Sequence, residues 1–575
     1  MKPIPHRHRA VGKREIRRRL DRPVTAPAPN PVVTASNVQY EVADKTRAVA
    51  CGGIGAIQLL VRQRGLAEAI DGRPHLLEFH SPDHESDHVL NRAYNALCDG
   101  TCLDGIELRR NDVVLLDALG ADRIPDPTTA GDFRRRSTAE DVETLRDVLD
   151  QTRLKLWRQP PPEFFDEAIL DVDGALVATG AGRERGVDIA YDGTRGYHPL
   201  IISPADTGAV LGIVNRPGNR PPHEGAAERL DLATLLCREA GFRRLVLRGD
   251  TDFTRAQRLD AWDAEGVTFP FGIDAMPDLK ALAEALPASD RTALQRPPRS
   301  TARGEPRRRP GRVKDRVVRQ RGFETLTRLR GDVAEGSHRP TACQESFRLI
   351  IARQTIAVGK GRARLFDEIR GRFYLTNDRR GTPRGLAFEA DDRCDQENRI
   401  AQPKGGAHAL RAAVDNPVSN WASMVMTALA WDLKAWFALS VPERPRHRAA
   451  HREQERQLRR TEFKRFVNAI ILMPCRIARG GRRLIYRLLS WDEWQGVFLR
   501  VVYASRCRGD DESEPGSGRP GPQGPRELRG RRGGDDGTAG PATMRRHPAS
   551  PITVRSVSMG AGSSSASLKP RLFKV

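Results

Sequence analysis

Two aspartates stand where metal-assisted phosphoryl chemistry would want them. Asp173 closes the run Ile169-Leu170-Asp171-Val172-Asp173-Gly174, and Asp250 closes Leu245-Val246-Leu247-Arg248-Gly249-Asp250. A carboxylate at the carboxyl end of a core strand loses hydration and needs a compensating partner. A hard divalent cation is a natural one. Two such cations about 4 Å apart clamp the attacking and leaving oxygens of an in-line phosphoryl displacement. Strand alternation puts Asp171 on the same face as Asp173, which makes it a possible extra ligand, with Asp173 nearer the strand end. Asp252 precedes a helix and reads as a cap.

A third carboxylate comes from the spacing Arg393-(3)-Glu397-(6)-Lys404. On a helix, residues 393, 397, 400 and 404 share one face, because steps of four, three and four follow the 3.6-residue period. A metal-binding carboxylate would then lie between two cations able to hold phosphates. Alone, such a pattern is more often a solvated charged face. The two upstream aspartates turn the reading toward chemistry. Pro403 sits inside this stretch, where it lacks an N–H and clashes with the preceding turn, so the helix is expected to stop near Ala401 or Gln402 with Lys404 beyond its end.

The elements that must carry these residues can be read from periodicity. Residues 48–157 have helical spacing (Leu59, Leu60, Leu66, Ile70; Val89, Leu90, Tyr94, Leu97) and no strand signal. After Pro160-Pro161-Pro162 the pattern becomes strand-like at 168–173, 197–203 and 209–214. A helix at 224–240, a strand at 244–248, a helix at 255–265 and a strand at 267–272 follow. The order β-β-β-α-β-α-β specifies a mixed α/β sheet rather than a doubly wound parallel one. Residues 347–353 and 372–376 alternate as strands, and the chain then reads as helical from 393 to 439 and again from 453 to 502. The resulting division is a basic disordered arm (1–45), an all-helical part (46–160), a mixed α/β part (161–440) with an insertion at about 287–380, a C-terminal helical region (441–505) and a disordered tail (506–575). The tail is rich in Gly, Pro, Ser and Arg and cannot bury a core.

Composition bounds the function. Across 575 residues, 96 Lys+Arg against 74 Asp+Glu give a net charge of +22, which points to a polyanion such as nucleic acid. The basic runs at 2–22 and 296–321, the latter with Arg307, Arg308 and Arg309, carry few aromatics, so phosphate contact rather than base stacking is expected. No run approaches ~18 apolar residues, which argues against a membrane span. Eight scattered cysteines cannot form a disulfide scaffold and read as reduced thiols in a cytoplasmic setting. His84-Glu85-Ser86-Asp87-His88 fits the zincin pattern, but a charged Asp87 between Glu85 and His88 speaks against it. The Trp421, Met424, Val425, Ala428, Leu429 stripe reads as packing core.

A wider set of motifs then falls into order: His84-Glu85-Ser86-Asp87-His88-Val89-Leu90-Asn91, Asp126-Pro127-Thr128-Thr129-Ala130-Gly131-Asp132-Phe133, the Asp173 strand, and Ala190-Tyr191-Asp192-Gly193-Thr194-Arg195-Gly196-Tyr197-His198-Pro199-Leu200. Leu247-Arg248-Gly249-Asp250-Thr251-Asp252-Phe253, Asp395-Gln396-Glu397-Asn398-Arg399-Ile400, Asn420-Trp421-Ala422 and Leu429-Ala430-Trp431-Asp432-Leu433-Lys434-Ala435-Trp436 follow. Over roughly residues 50–500 the chain resembles the DDE transposases of bacterial insertion sequences, in the group marked by a Tyr-(2)-Arg-(3)-Glu-(6)-Lys signature. The tyrosine position holds Ala390, with Phe388 out of register.

The resemblance implies a ribonuclease-H-like mixed-sheet core with a β-rich insertion, flanked by all-α N-terminal and helical C-terminal parts. It implies Asp173, Asp250 and Glu397 as catalytic ligands of two Mg²⁺ ions (Mn²⁺ able to substitute), with Arg393 and Lys404 on element-end DNA. Double-stranded DNA, both terminal inverted repeats and target, would be the partner, with a homodimer in the synaptic complex and a place at the bacterial nucleoid. The activity implied is strand cleavage at element ends and strand transfer into target DNA. The alternative is a transposase-derived DNA-binding protein with impaired catalysis.

Overall fold

The computed structural model describes residues 46–73, 76–77, 83–180, 182–296, 313–361, 363–393, 399–480, 483–489 and 492–509, with a few isolated positions before residue 46. Glu397, the Arg307-Arg308-Arg309 run, most of the 1–45 arm and all of the tail after Gly509 lie outside the described residues. The fold is mixed α/β with several sheets.

The sheet that carries the two aspartates contains β1 (Glu167–Gly174), β2 (Leu200–Pro204), β3 (Gly212–Val214) and β4 (Arg244–Arg248) in the order β3-β2-β1-β4. β1 runs antiparallel to β2 and parallel to β4, and β2 is antiparallel to β3. The next strand, β5 (Pro270–Ile273), lies alongside β4 through the parallel bridges Val246–Thr268 and Gly249–Phe271. Alternation decides the two faces of β1. Ala168, Leu170 and Val172 pack with Leu230, Ala233 and Cys237 of the helix Ala226–Ala240 and with Leu259 and Trp262 of the helix Ala256–Ala264. Asp171 and Asp173 occupy the other face.

The insertion joins this sheet through β5. A long antiparallel meander of β6 (Glu324–His338), β7 (Phe347–Lys360) and β8 (Ala363–Thr376) pairs through β8 with β5, Phe373 opposite Ile273 and Thr376 opposite Pro270. These strands run far beyond the segments 347–353 and 372–376 expected from alternation. In the outer half of the meander Leu326, Leu329, Leu365, Phe366 and Ile369 are exposed, so no single buried face marks the pattern.

The helix Pro417–Leu439 is the spine of the other core. Asn416 caps it, accepting from Ser419 N at 2.8 Å, and Pro417 occupies its first turn. Ser419 through Ala438 are all buried, as expected for a helix apolar around its whole circumference. The Trp421 and Trp431 indoles donate to Ile213 O and Gly208 O, which fixes the helix against the sheet. The tryptophan stripe is therefore core. The N-terminal helices share that core: Arg92 of the helix Glu85–Leu97 donates to Thr427 Oγ1 at 2.8 Å, and Arg134 to Ser423 Oγ at 3.1 Å.

Two readings change. The C-terminal region is not wholly helical: β9 (Cys475–Gly480) and β10 (Arg483–Leu488) form a hairpin. The N-terminal part is not wholly α either, because Ala48–Val49 pairs with β9, Val49 opposite Cys475. Alternating Cys475 and Ile477, with Leu484, Tyr486 and Leu488, carry the strand signal, and it overrides the helical spacing of the flanking segments. Among the described residues no helix is long and apolar enough to cross a membrane.

Candidate active site

Asp173 and Asp250 end adjacent parallel strands, so both carboxylates emerge at the same edge of the sheet. They converge on one cation. Arg393 Nη1 is 3.3 Å from Asp173 Oδ2 and 3.6 Å from Asp250 Oδ2. Their second oxygens are held locally: Asp173 Oδ1 accepts from Gly174 N at 2.8 Å, and Asp250 Oδ1 accepts from Asp252 N at 3.1 Å. Asp250 thus caps the turn Thr251–Phe253, while its other oxygen faces Arg393; Asp252 lies inside that turn, and Arg255 rather than Asp252 is the cap of the helix Ala256–Ala264. Burial pushes the Asp250 carboxyl above the usual carboxylate range, and Arg393 pulls it back.

Asp171, weighed as an extra ligand, is turned to another use. It is fully buried at 0% exposure and is held by Arg248 through a fork of Nε to Oδ1 at 2.7 Å and Nη2 to Oδ2 at 2.9 Å. Burial raises its carboxyl and the hydrogen bond from Arg248 lowers it. The sequence reading gives Arg248 no role of its own. The available signal was an arginine at the end of a wholly apolar strand run, a position where such a residue is rarely buried without a partner.

The segment after Arg393 resumes as helix at Arg399 and passes into a π-helical turn over Gln402–Gly406, closed by Ala407 N donating to Gln402 O at 2.9 Å. The regular α-helix ends at Ala401, as expected, but the π-helical turn carries the chain on through Lys404. The wider turn takes in the Pro403 ring, which is buried, and the helical path continues. Lys404 is exposed, and its Nζ donates to Leu176 O at 2.7 Å, three residues past Asp173 in the chain. The structure thus brings Asp173, Asp250, Arg393 and Lys404 to one end of the sheet. Ala390, at the signature tyrosine position, is buried in the helix Pro383–Asp391. Phe388 is covered instead by the Arg296 and Arg384 guanidinium groups, 4.9 and 5.6 Å from its ring centre.

The zincin-like residues serve packing. Glu85 Oε1 accepts from Leu76 N and Leu77 N at 3.2 and 3.1 Å, and His88 stacks on Phe133 at 4.3 Å. Among the described residues no three His, Cys, Asp or Glu side chains converge as a ready metal cluster.

Comparison with known proteins agrees with this chemistry at the level of family. No curated protein matches the chain. A solved structure, the piggyBac transposase synaptic complex with hairpin DNA determined by cryo-EM, aligns at 11% sequence identity and a TM-score of 0.32, over 73% of this chain and 82% of that one. The family described as transposase DDE domain group 1 matches residues 32–465, most of the chain, and the protein belongs to it.

Proposed function

We propose that the protein cleaves DNA strands at the ends of its own mobile element and joins the freed 3′ ends to target DNA. The observation that carries the proposal is the convergence of Asp173 and Asp250 on Arg393 at one edge of the sheet. The strand order β3-β2-β1-β4-β5, antiparallel on one side of β1 and parallel on the other, supports a ribonuclease-H-like core beneath them. These carboxylates fit a divalent cation on their own chemistry: they are hard oxygen donors already gathered around a positive charge. Asp173 and Asp250 would hold it with Glu397 as third donor, Mg²⁺ being the expected ion and Mn²⁺ a substitute. Bound there, two such ions would supply Lewis-acid stabilisation and an activated water.

The chain's own residues set the geometry. Asp173 and Asp250 are held in place by the strand ends and by the amides of Gly174 and Asp252, so the spot where a cation would draw in the phosphodiester is fixed beforehand. Arg393 compensates the carboxylate pair, and Lys404 adds positive charge beside it; both are suited to phosphate oxygens. Double-stranded element-end DNA is the proposed partner. A homodimer is expected in the working complex, since two ends need two sites.

The test is incubation with end DNA and Mg²⁺. A strand nick at the element end, absent from DNA without the terminal repeats, is the expected result. Binding should weaken steeply with salt as condensed counterions are released. A protein that binds ends but never nicks them, with either metal, would favour the catalytically impaired alternative.

A further inference from the structure

The ion pair behind the two aspartates reaches further than the sheet. Arg248, 3% exposed, spends two donors on Asp171 and a third on the carbonyl of Glu389, Nη1 to O at 2.9 Å, in the last turn of the helix Pro383–Asp391. From the other side Arg399 Nη1 lies 3.7 Å from Asp171 Oδ2 and donates to Pro204 O at 3.4 Å. One buried pair on β1 and β4 therefore holds the chain at Glu389 and again at Arg399. Arg393 lies four positions past Glu389 and six before Arg399.

A buried ion pair is a poor source of net stability, because the desolvation of both charges offsets their attraction. What this one does is tie three pieces of chain to one place. We infer that Asp171 and Arg248 are positioning residues that set the place of the 389–393 segment, and with it Arg393, against Asp173 and Asp250. The inference rests on the phosphoryl-transfer reading for its purpose and on the contacts alone for its geometry. Neither residue touches the reacting atoms in this role. Asp171 acts through Arg248 and Arg399, and a displacement of about 1 Å in the segment is enough to slow a positioned reaction severely.

The test uses the full-length protein with Asp171→Asn, which keeps the shape but loses the charge, and Arg248→Lys, which keeps the charge but cannot fork to both partners. Amide exchange, read by mass spectrometry without DNA, should quicken by about tenfold or more in peptides covering 385–393 and remain unchanged across Ala139–Trp157. Single-turnover nicking of pre-bound end DNA should fall by about 10–100-fold, with affinity for that DNA altered less than about threefold and Mn²⁺ binding retained. Unchanged exchange would overturn the clamp whether or not the protein cleaves DNA. Faster exchange with an unchanged nicking rate would make the pair structural only. Loss of Mn²⁺ binding as complete as in Asp173→Ala would make Asp171 a ligand instead. Should Asp171→Asn fail to fold, Arg399→Gln on the more accessible side of the clamp decides by the same exchange measurement. A wild-type protein that nicks nothing would defeat the functional reading while the exchange result still judges the clamp.

Discussion

At the open edge of the central sheet Arg393 lies between Asp173 and Asp250, at 3.3 and 3.6 Å, with 15% and 32% of the two carboxylate side chains exposed. Where the helix Ala139–Trp157 meets the helix Pro417–Leu439, Arg153 lies between Asp150 and Asp432 in the same one-to-two ratio, but Arg153 and Asp432 are almost fully enclosed. The enclosed cluster is also knitted into the backbone. Asp432 Oδ1 accepts from Val210 N at 2.8 Å, and Arg153 Nη2 donates to Val210 O at 2.8 Å. Arg146 closes the outer side of Asp150 at 3.2 Å. An arginine between two aspartates thus stays open at the sheet edge, where the proposed function puts the site, and is sealed as a rivet between the helices. Long contacts and residual hydration leave the first able to exchange its cation for another, whereas short contacts and backbone hydrogen bonds commit the second.

The sharpest way to break the comparison is to delete a carboxylate from the open pair. Asp173→Ala should lower end cleavage by about 10²–10³-fold or more, because charge stabilisation in the reaction is lost. Its melting temperature should stay close to wild type, since the remaining Asp250 keeps Arg393 as partner. A gel nicking assay beside a thermal melt checks both halves. Large destabilisation would mean that the open pair is a rivet as well.

Removing the arginine from each cluster gives the next largest contrast. Arg153→Met strands the buried Asp432 and leaves Asp150 to Arg146 alone, and should cost roughly 3–5 kcal/mol in urea unfolding. Arg393→Met leaves carboxylates that water can reach and should cost within about 1 kcal/mol. Equal costs would erase the distinction drawn between the two regions.

A pH series reads the enclosed cluster from a third side. Burial pushes the Asp432 carboxyl up to about 6, with Arg153 pulling it back. The folded chain then holds that proton more tightly than the unfolded chain, whose carboxyl titrates near 4. Stability from this group is therefore fully present below about pH 4 and is lost as pH rises through 6, by roughly 2–3 kcal/mol. Urea midpoints at pH 4.5, 6 and 7.5 should show this slope in wild type and a flatter one in Asp432→Asn. Parallel slopes would show that Asp432 is ionised throughout.

How much of this was legible in the sequence follows from how local each signal is. Asp173 and Asp250 were readable because each ends an apolar run and strand alternation is a two-residue rule. The central order of strands and helices was readable for the same reason. Asp171 was put on the right face but given the wrong partner, since the fork from Arg248 spans 77 positions of chain and no periodicity records it. The hairpin Cys475–Leu488 was hidden by helical spacing on both sides, and the outer meander by having no buried face. The enclosed cluster is invisible in the sequence: Asp432 and Lys434 stand there only within the motif Leu429–Trp436, with nothing to name their partners. In the structure Asp432 meets Arg153, and Lys434 Nζ donates to Arg459 O at 2.7 Å.

The smallest effect is expected at Pro403, where sequence and structure part most clearly. A proline in a regular helix costs about 3 kcal/mol and would have thrown Lys404 off the face it shares with Arg393. The π-helical turn over Gln402–Gly406 absorbs the ring, Phe463 N donates to Gln402 Oε1 at 3.0 Å to hold the turn, and Lys404 Nζ is anchored on Leu176 O. Pro403→Leu restores an N–H and favours a regular helix, but the ammonium already sits beside the strand that ends in Asp173. End-DNA affinity and nicking rate should therefore change by less than about threefold, with the salt slope of binding unaltered because the number of phosphate contacts is the same. Binding isotherms at two salt concentrations, together with nicking rates for both proteins, measure this. A rise of about tenfold would show that the π turn holds Lys404 back from DNA. The open edge would then be only partly assembled, in contrast to the finished cluster around Arg153.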